Sequence, residues 1–313
     1  MENQNANAIS RKEFDVLVSL VDANENLTQR ELADRTGHSV GTISKVYNIL
    51  KEKEFVNASG VTEKGLSALE PYRVKRAIII AAGFGSRLVP ITLNTPKPLV
   101  RVNGVRIIDT TLDALVAAGI EEIIIVRGYL YEQFDQLLYK YPMVKFVENL
   151  SYNEANNISS IMRVRDKLKN AYVLEADLLL HNPKLIRKYE YESNCLGIPV
   201  ERTDDWCFHV KNETITLQKI GGELSEAAKE PGTTLYQMVG ISYWTEEAGA
   251  RLENDMKTVF EMPGGKEKYW DQVPMTVYCD DYKVKIRKCK FEDIVEIDTF
   301  RELTQIDKSY CVK

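Results

Sequence analysis

Six apolar residues, Ala77-Ile78-Ile79-Ile80-Ala81-Ala82, run without a polar interruption and stop at Gly83-Phe84-Gly85. A strand buried on both faces needs such a run, and strands of that kind belong to parallel sheets covered by helices. The glycines that follow permit a tight turn at the carboxyl end of the strand, where open α/β sheets bind their ligands. The segments downstream follow the same plan. Residues 107–119 have helical periodicity through Ile108, Leu112, Leu115 and Val116, with Gly119 suited to the helix end. Residues 123–126 read as the next buried strand, 132–139 as a helix, 144–147 as a strand, 158–168 as a helix and 172–176 as a strand. Strands alternating with helices imply a parallel sheet with helices on both faces.

The 75 residues before this junction read differently. Phe14, Leu17, Val18 and Val21 form one apolar helix face. Thr28-Gln29-Arg30-Glu31 is a capping box opening a short helix with Leu32 and Ala33. After a turn at Thr36-Gly37-His38, a third helix begins near Ser39 and buries Ile43, Val46, Tyr47 and Leu50. Phe55-Val56, the Ser59-Gly60 turn and Val61 suit a small hairpin, and residues 62–70 a closing helix ended by Pro71. A chain of 313 residues is comfortable as two domains, here expected at 1–75 and 76–313.

Two helices, a tight turn and a small hairpin resemble a winged helix-turn-helix, and residues 28–50 resemble the helix-turn-helix of bacterial regulators. The resemblance implies that the helix from Ser39 enters a DNA groove, with Ser39, Thr42, Ser44 and Lys45 on its exposed face. Charge argues the other way: residues 1–75 hold ten basic and eleven acidic side chains, a thin footprint for a DNA-binding module. A helical module for dimerisation or packing is the competing expectation, and a homodimer is compatible with it.

Composition excludes several classes. A net charge of −5 gives no global signature of a nucleic-acid or membrane-surface protein. No apolar run approaches the roughly 20 residues that cross a bilayer, and the polar first residues lack a signal peptide's apolar stretch, so a cytoplasmic location is the expectation. The five cysteines show no C-x-x-C spacing and the three histidines are scattered, which fits reduced thiols and no zinc site.

The loop at Gly83 could serve several chemistries. A dinucleotide fingerprint needs a third glycine where Leu88 stands, and its acidic partner would be Asp109, in the first turn of a helix. A Walker A loop needs Gly-Lys-Ser/Thr where the chain has Arg87-Leu88-Val89. A plain strand-to-helix turn and a triphosphate loop remain. Thr95-Pro96-Lys97-Pro98-Leu99 favours the second, because two prolines stiffen the backbone carrying Lys97. Backbone N–H groups around Ala82, Gly83, Gly85 and Ser86 can approach phosphates, and Arg87 and Lys97 supply two cations.

The stretch AAGFGSRL at 81–88, followed by TPKPLV at 95–100, resembles the paired signature of the sugar-phosphate nucleotidyltransferase superfamily. Gly128-Tyr129-Leu130, Asn156-Asn157-Ile158-Ser159, Glu175-Ala176-Asp177, Gly240-Ile241-Ser242-Tyr243-Trp244, Tyr269-Trp270-Asp271 and Glu296-Ile297-Asp298 follow in order and resemble bacterial CTP:phosphocholine cytidylyltransferases. That resemblance implies a Rossmann-like α/β nucleotidyltransferase sheet, mostly parallel, behind an N-terminal winged-helix domain. It implies transfer of CMP from CTP to phosphocholine, with Arg87, Lys97 and Asp177 catalytic. Mg²⁺ would be held by Asp177, Glu296 and Asp298, the last two spaced i, i+2 on a strand. Tyr129 and Asn157 would join the nucleotide loop. Trp206, preceded by Asp204-Asp205, and Tyr269, Trp270 and Asp271 would take the acceptor's ammonium end, while Trp244 suits the core.

The chemistry makes independent sense of this inventory. A phosphomonoester is largely dianionic near neutrality, its second pKa being about 6, and can attack an α-phosphorus without a protein nucleophile. The site must supply alignment and charge neutralisation. Phosphoethanolamine, 2-aminoethylphosphonate or a sugar 1-phosphate are alternative acceptors. A ligand-sensing DNA-binding regulator is the alternative of another class.

Overall fold

The computed structural model describes residues 8–23, 27–201, 203, 205–212, 214–219 and 231–311. The chain forms two compact units, one of residues 1–73 with 189–191, the other of residues 74–188 and 192–313.

The first unit is built on α1 (Arg11–Ala23), α2 (Gln29–Thr36) and α3 (Val40–Glu52), then a hairpin of β1 (Val56–Asn57) and β2 (Gly60–Val61), then α4 (Glu63–Leu69). The capping box at Thr28 is present in both directions: Thr28 Oγ1 accepts from Glu31 N, and the Glu31 carboxylate accepts from Thr28 N. Gly37 ends α2 at φ 72°, where a side chain would strain the backbone. Ser39 accepts from Thr42 N and so caps α3 rather than lying within it. Phe14, Leu17, Leu32, Ile43, Leu50, Phe55 and Leu69 fill the core, while Tyr47 is only half-buried. Gly65 is forced by packing, since a Cβ there would lie 2.2 Å from the Phe55 carbonyl oxygen.

Residues 189–191 complete this core from far along the chain. The Tyr191 ring lies 5.2 Å from Phe14 and stacks on Tyr72 at 5.1 Å and 8°. Both tyrosine hydroxyls donate to the Ile9 carbonyl, and Tyr189 is buried in the same cluster.

The second unit holds β3 (Arg76–Ala81), a hairpin of β4 (Arg101–Val102) and β5 (Val105–Arg106), α5 (Ile107–Ala117), β6 (Glu122–Arg127), β7 (Val144–Glu148), α6 (Ile158–Arg163), β8 (Ala171–Glu175), β9 (Leu178–Leu180), β10 (Asn194–Pro199), β11 (Trp206–Lys211), β12 (Thr214–Lys219), β13 (Thr234–Trp244), α7 (Glu246–Glu261), β14 (Lys285–Lys288), β15 (Ile294–Glu296) and α8 (Phe300–Ile306). The central sheet runs β12-β11-β13-β8-β3-β6-β7, with β10 on β13 and β14 on β10. Across β8-β3-β6-β7 every pairing is parallel; β13 joins β8 antiparallel. Side chains of β3 alternate between two cores: Ala77, Ile79 and Ala81 pack in the one containing α5 residues, Ile78 in the one containing α6 and α7 residues. Helices therefore cover both faces.

Three local expectations differ from the structure. Residues 131–139 form a 3₁₀ segment rather than an α-helix. The helix from Ile158 ends at Arg163, followed by a short 3₁₀ turn. Strand β15 stops at Glu296, so Asp298 lies past it instead of one pleat along it.

Tyr191→Ala should loosen the first unit by about 2 kcal/mol, below the roughly 3–5 kcal/mol of a fully buried aromatic truncation because the ring is half-buried. Hydrogen exchange should accelerate in α1 and around Tyr72 while β3, β6 and β8 keep their protection. Unchanged exchange in α1 would show that the aromatic stack does not hold the unit.

Candidate active site

Strand β3 delivers the chain to Ala82, and the backbone turns at Gly83-Phe84-Gly85. Gly85 adopts φ 69°, and a Cβ there would lie 3.0 Å from Lys97 Cβ, so glycine both permits the turn and lets the lysine segment approach. Arg87 follows on a 3₁₀ turn, Ser86–Leu88. Lys97 sits on a second one, Lys97–Leu99, entered through Pro96 and braced by Pro98.

Lys97 is buried, and its Nζ lies 2.7 Å from Asp177 Oδ2 and 2.7 Å from Asp298 Oδ1. Burial works against the charged amine, but Asp177 and Asp298 outweigh it and hold the ammonium above the usual lysine range. Arg87 grips Asp298 with two nitrogens, at 2.7 and 3.0 Å. Asp177 lies just past the end of β8. Pairing of β9 with β15 sets Glu296 opposite Leu178, and Ile297 N donates to the Asp177 carbonyl at 3.2 Å.

Glu175, Asp177 and Glu296 each present a carboxylate oxygen within 4.8 Å of the others. Burial and then Asp177 push both Glu175 and Glu296 well above the ordinary glutamate range. Asp177 Oδ1 has no hydrogen-bond partner. A divalent cation with oxygen preference fits this donor set. Glu175 was not among the expected site residues. Its signal was a glutamate closing the apolar strand Ala171–Glu175, and Gly240 at φ 63° makes its room, since a Cβ there would lie 2.9 Å from Glu175 Cγ.

A cleft of about 190 Å³ is lined by Gly83, Gly85, Lys97, Asn157, Glu175 and Asp177 among others. Tyr129 borders the glycine loop: its N–H donates to the Ala82 carbonyl, its hydroxyl to the Leu93 carbonyl, and Phe84 meets its ring at 4.5 Å. Asn157 does not cap α6; its Oδ1 accepts from Trp270 N at 2.9 Å.

The aromatic residues divide. Trp206 and Tyr269 meet edge to face at 5.4 Å, and Tyr269 is 40% exposed. Asp205 Oδ1 accepts from Trp206 N, and its charge acts on Glu296, which ties this corner to the carboxylates. Asp204 lies outside the described residues. Trp270, expected to face the acceptor, is instead buried against Trp244 at 6.0 Å, with both rings in the core. Asp271 is buried too, and burial pushes its carboxyl up to about 7. Trp270 and Asp271 line a small pocket with Glu175 and Ser242, and Trp270 Nε1 and Asp271 Oδ1 have no partner.

A nucleotidyl transferase family model matches residues 76–198, and a winged helix-turn-helix DNA-binding model matches residues 9–57. A 2-aminoethylphosphonate cytidylyltransferase of Lancefieldella rimae is 36% identical over 75% of this chain and 92% of its own length. A choline-phosphate cytidylyltransferase of Streptococcus pneumoniae is 31% identical over 74% of this chain and 97% of its own. This chain belongs to the cytidylyltransferases of the nucleotidyltransferase family. The solved CTP:phosphocholine cytidylyltransferase of Streptococcus pneumoniae superimposes on the enzyme with a TM-score of 0.65, at 29% identity, over 76% of this chain and 99% of that one. The N-terminal unit of this cytidylyltransferase is a winged helix, and the family match runs through α3 to Asn57.

Asp271 gives the enzyme a pH signature. Its folded pKa, about 7, stands above the ordinary 3.8, so the folded state binds more protons between those values and stability falls as pH rises through them. Asp271→Asn should stabilise the ligand-free enzyme by a few kcal/mol, on the order of 1–4, at pH 8. The gain should shrink as pH falls toward 4. Thermal melts at both ends check this, and a pH-independent gain would contradict it.

Proposed function

We propose that the enzyme transfers the cytidylyl group of CTP to phosphocholine, releasing pyrophosphate, with Mg²⁺ at the carboxylate cluster. The corner of Trp206 and Tyr269 beside Asp205 carries this reading of the acceptor. A quaternary ammonium has no N–H to donate, so aromatic faces and a nearby negative charge are what recognise it.

In the reaction an oxygen of the acceptor phosphate attacks the α-phosphorus, the new P–O bond forms, and the bond to the β-phosphate oxygen breaks. The glycine-loop N–H groups cradle the triphosphate. Arg87 and Lys97, engaged with Asp177 and Asp298 in the ligand-free protein, turn to the phosphates. Bound by Asp177 with Glu175, Glu296 and Asp298 around it, Mg²⁺ would neutralise charge on the α-phosphate and the departing pyrophosphate. Tyr129 and Asn157 bound the nucleotide side, Asn157 also fixing the backbone at Trp270.

A second reading makes 2-aminoethylphosphonate the acceptor. The relative that acts on it shares more identity with this chain than the choline-phosphate enzymes do. A primary ammonium would donate hydrogen bonds to carboxylates, and Asp205 lies at the aromatic corner with Asp271 buried beyond Tyr269.

Pyrophosphate release with CTP, UTP, dTTP and ATP against phosphocholine, phosphoethanolamine, 2-aminoethylphosphonate and sugar phosphates decides between them. CTP with phosphocholine should give the highest kcat/KM. A sugar phosphate with UTP or dTTP outpacing every amine would overturn both readings. Asp177→Asn should lower kcat by at least about 10³-fold, and Trp206→Ala should raise the KM for phosphocholine about tenfold with little change for CTP.

The winged-helix unit is the proposed DNA contact. The hydroxyls of Ser39 and Thr42 lie 3.0 Å apart in the α3 cap and Ser44 is half-buried, which leaves Gly41, Lys45 and Asn48 as the open face of that helix. A gel shift with promoter DNA should strengthen as salt is lowered, and Lys45→Ala should weaken it severalfold and flatten its salt dependence. No shift with or without the cytidylyl product would remove this role.

A further inference from the structure

The geometry points to a second anion-binding site, separate from the catalytic cleft, that takes a small phosphate-bearing ligand and is coupled to the acceptor loop. It is a cavity of about 320 Å³ lined by Ser151, Glu154, Ser159, Met162, Arg163, Arg165, Phe260 and Lys266 with Ala155. That exceeds the catalytic cleft's 190 Å³ and reaches the roughly 300 Å³ at which small-molecule sites begin.

Three cations meet in it, and among the described residues none of them is paired with a carboxylate. Arg163 is oriented by Ser151 Oγ, which accepts from its Nη2 at 3.2 Å. Arg165 donates to the Met162 carbonyl at 3.1 Å. Lys266 Nζ stands 5.7 Å over the Phe260 ring. Elsewhere in the chain, cations such as Arg11, Lys53, Arg76, Lys97, Arg106, Arg127 and Arg251 are matched with acids. Glu154, the single acid of the lining, leaves the cavity with an excess of two positive charges. In a chain of net charge −5, a local surplus of oriented guanidinium groups recognises an anion, and phosphate oxygens suit their paired donors. Phe260 and Met162 add an apolar wall that a bare phosphate would not use and a base or alkyl group would.

The coupling is built from hydrogen bonds. Ser159 of the cavity donates to the Asn156 carbonyl at 2.8 Å. Asn156 holds the backbone at Lys266 and the next residue: its N–H donates to the Lys266 carbonyl at 2.8 Å and its Nδ2 to the Glu267 carbonyl at 3.1 Å. The next residue, Asn157, lines the catalytic cleft and accepts from Trp270 N. An anion drawing Lys266 inward therefore acts on the same short loop that carries Tyr269.

Calorimetric titration of the full chain with inorganic pyrophosphate, and separately with CMP, tests this without divalent metal. The wild type should bind one more equivalent than Arg163→Gln/Arg165→Gln/Lys266→Gln, or bind that equivalent at least tenfold tighter. The variant, altered only at exposed side chains, should keep its KM for CTP. A preference of the lost equivalent for CMP assigns the site to a nucleotide; a preference for pyrophosphate assigns it to a polyphosphate. Ligand binding should slow hydrogen exchange in residues 262–270 of the wild type and not of the variant. Identical isotherms for the two proteins with both probes would overturn the site. Equal protection of residues 262–270 in both would overturn its coupling to the loop.

Discussion

The ammonium of Lys97 holds together the carboxylate cluster at the head of this enzyme's parallel strands. Four carboxyl groups, Glu175, Asp177, Glu296 and Asp298, converge from two separate stretches of chain, and burial makes each uncompensated charge costly. Lys97 bridges two of them at 2.7 Å, and Arg87 closes on Asp298 from the other side. Two cations do not balance four carboxylates. The deficit falls on Glu175 and Glu296, whose protons are held more tightly than usual by burial and then by their neighbours' charge. The site is thus poised to accept further positive charge.

The fold supplies this convergence through strand ends. Strand β8 stops at Glu175, which is still in register with Ile80 of β3, and releases Asp177 at the sheet's carboxyl edge beside the glycine loop. The short β9–β15 pair brings residues more than a hundred positions apart into register. Pro96 and Pro98 carry Lys97 into the gap that Gly85 leaves by lacking a side chain. Removing any of these devices would leave a buried charge without its partner, which costs more than the loss of a surface pair.

Much of the fold was legible because local rules and burial agreed. The run from Ala77 to Ala82 is typical of a buried parallel strand, and the structure has one over Arg76–Ala81; the capping box at Thr28 marked a helix start independently of any partner. The glycine loop, Arg87 and Lys97 stood out as residues able to meet phosphates, and Asp177 came in through the family resemblance; the structure sets Lys97 against Asp177. Glu175 was not legible, because a glutamate closing an apolar strand looks like a solvated strand end until Gly240, 65 positions later, makes room for it. Residues 189–191 were illegible as part of the first unit for the same reason: aromatic stacking on Phe14 and Tyr72 carries no short-range signal.

The proposed acceptor corner shows why adjacent residues in a motif need not share a task. Tyr269, Trp270 and Asp271 are consecutive, yet the first is 40% exposed and the others 4% and 5%. The chain turns there: Gln272 N donates to the Tyr269 carbonyl and Val273 N to the Trp270 carbonyl, so successive side chains leave in different directions. Trp270 is drawn into the core by Trp244, and its backbone N–H is fixed by Asn157. Its burial anchors the loop, and that anchoring keeps Tyr269 against Trp206. The ring that can touch an acceptor is positioned by the ring beside it that cannot.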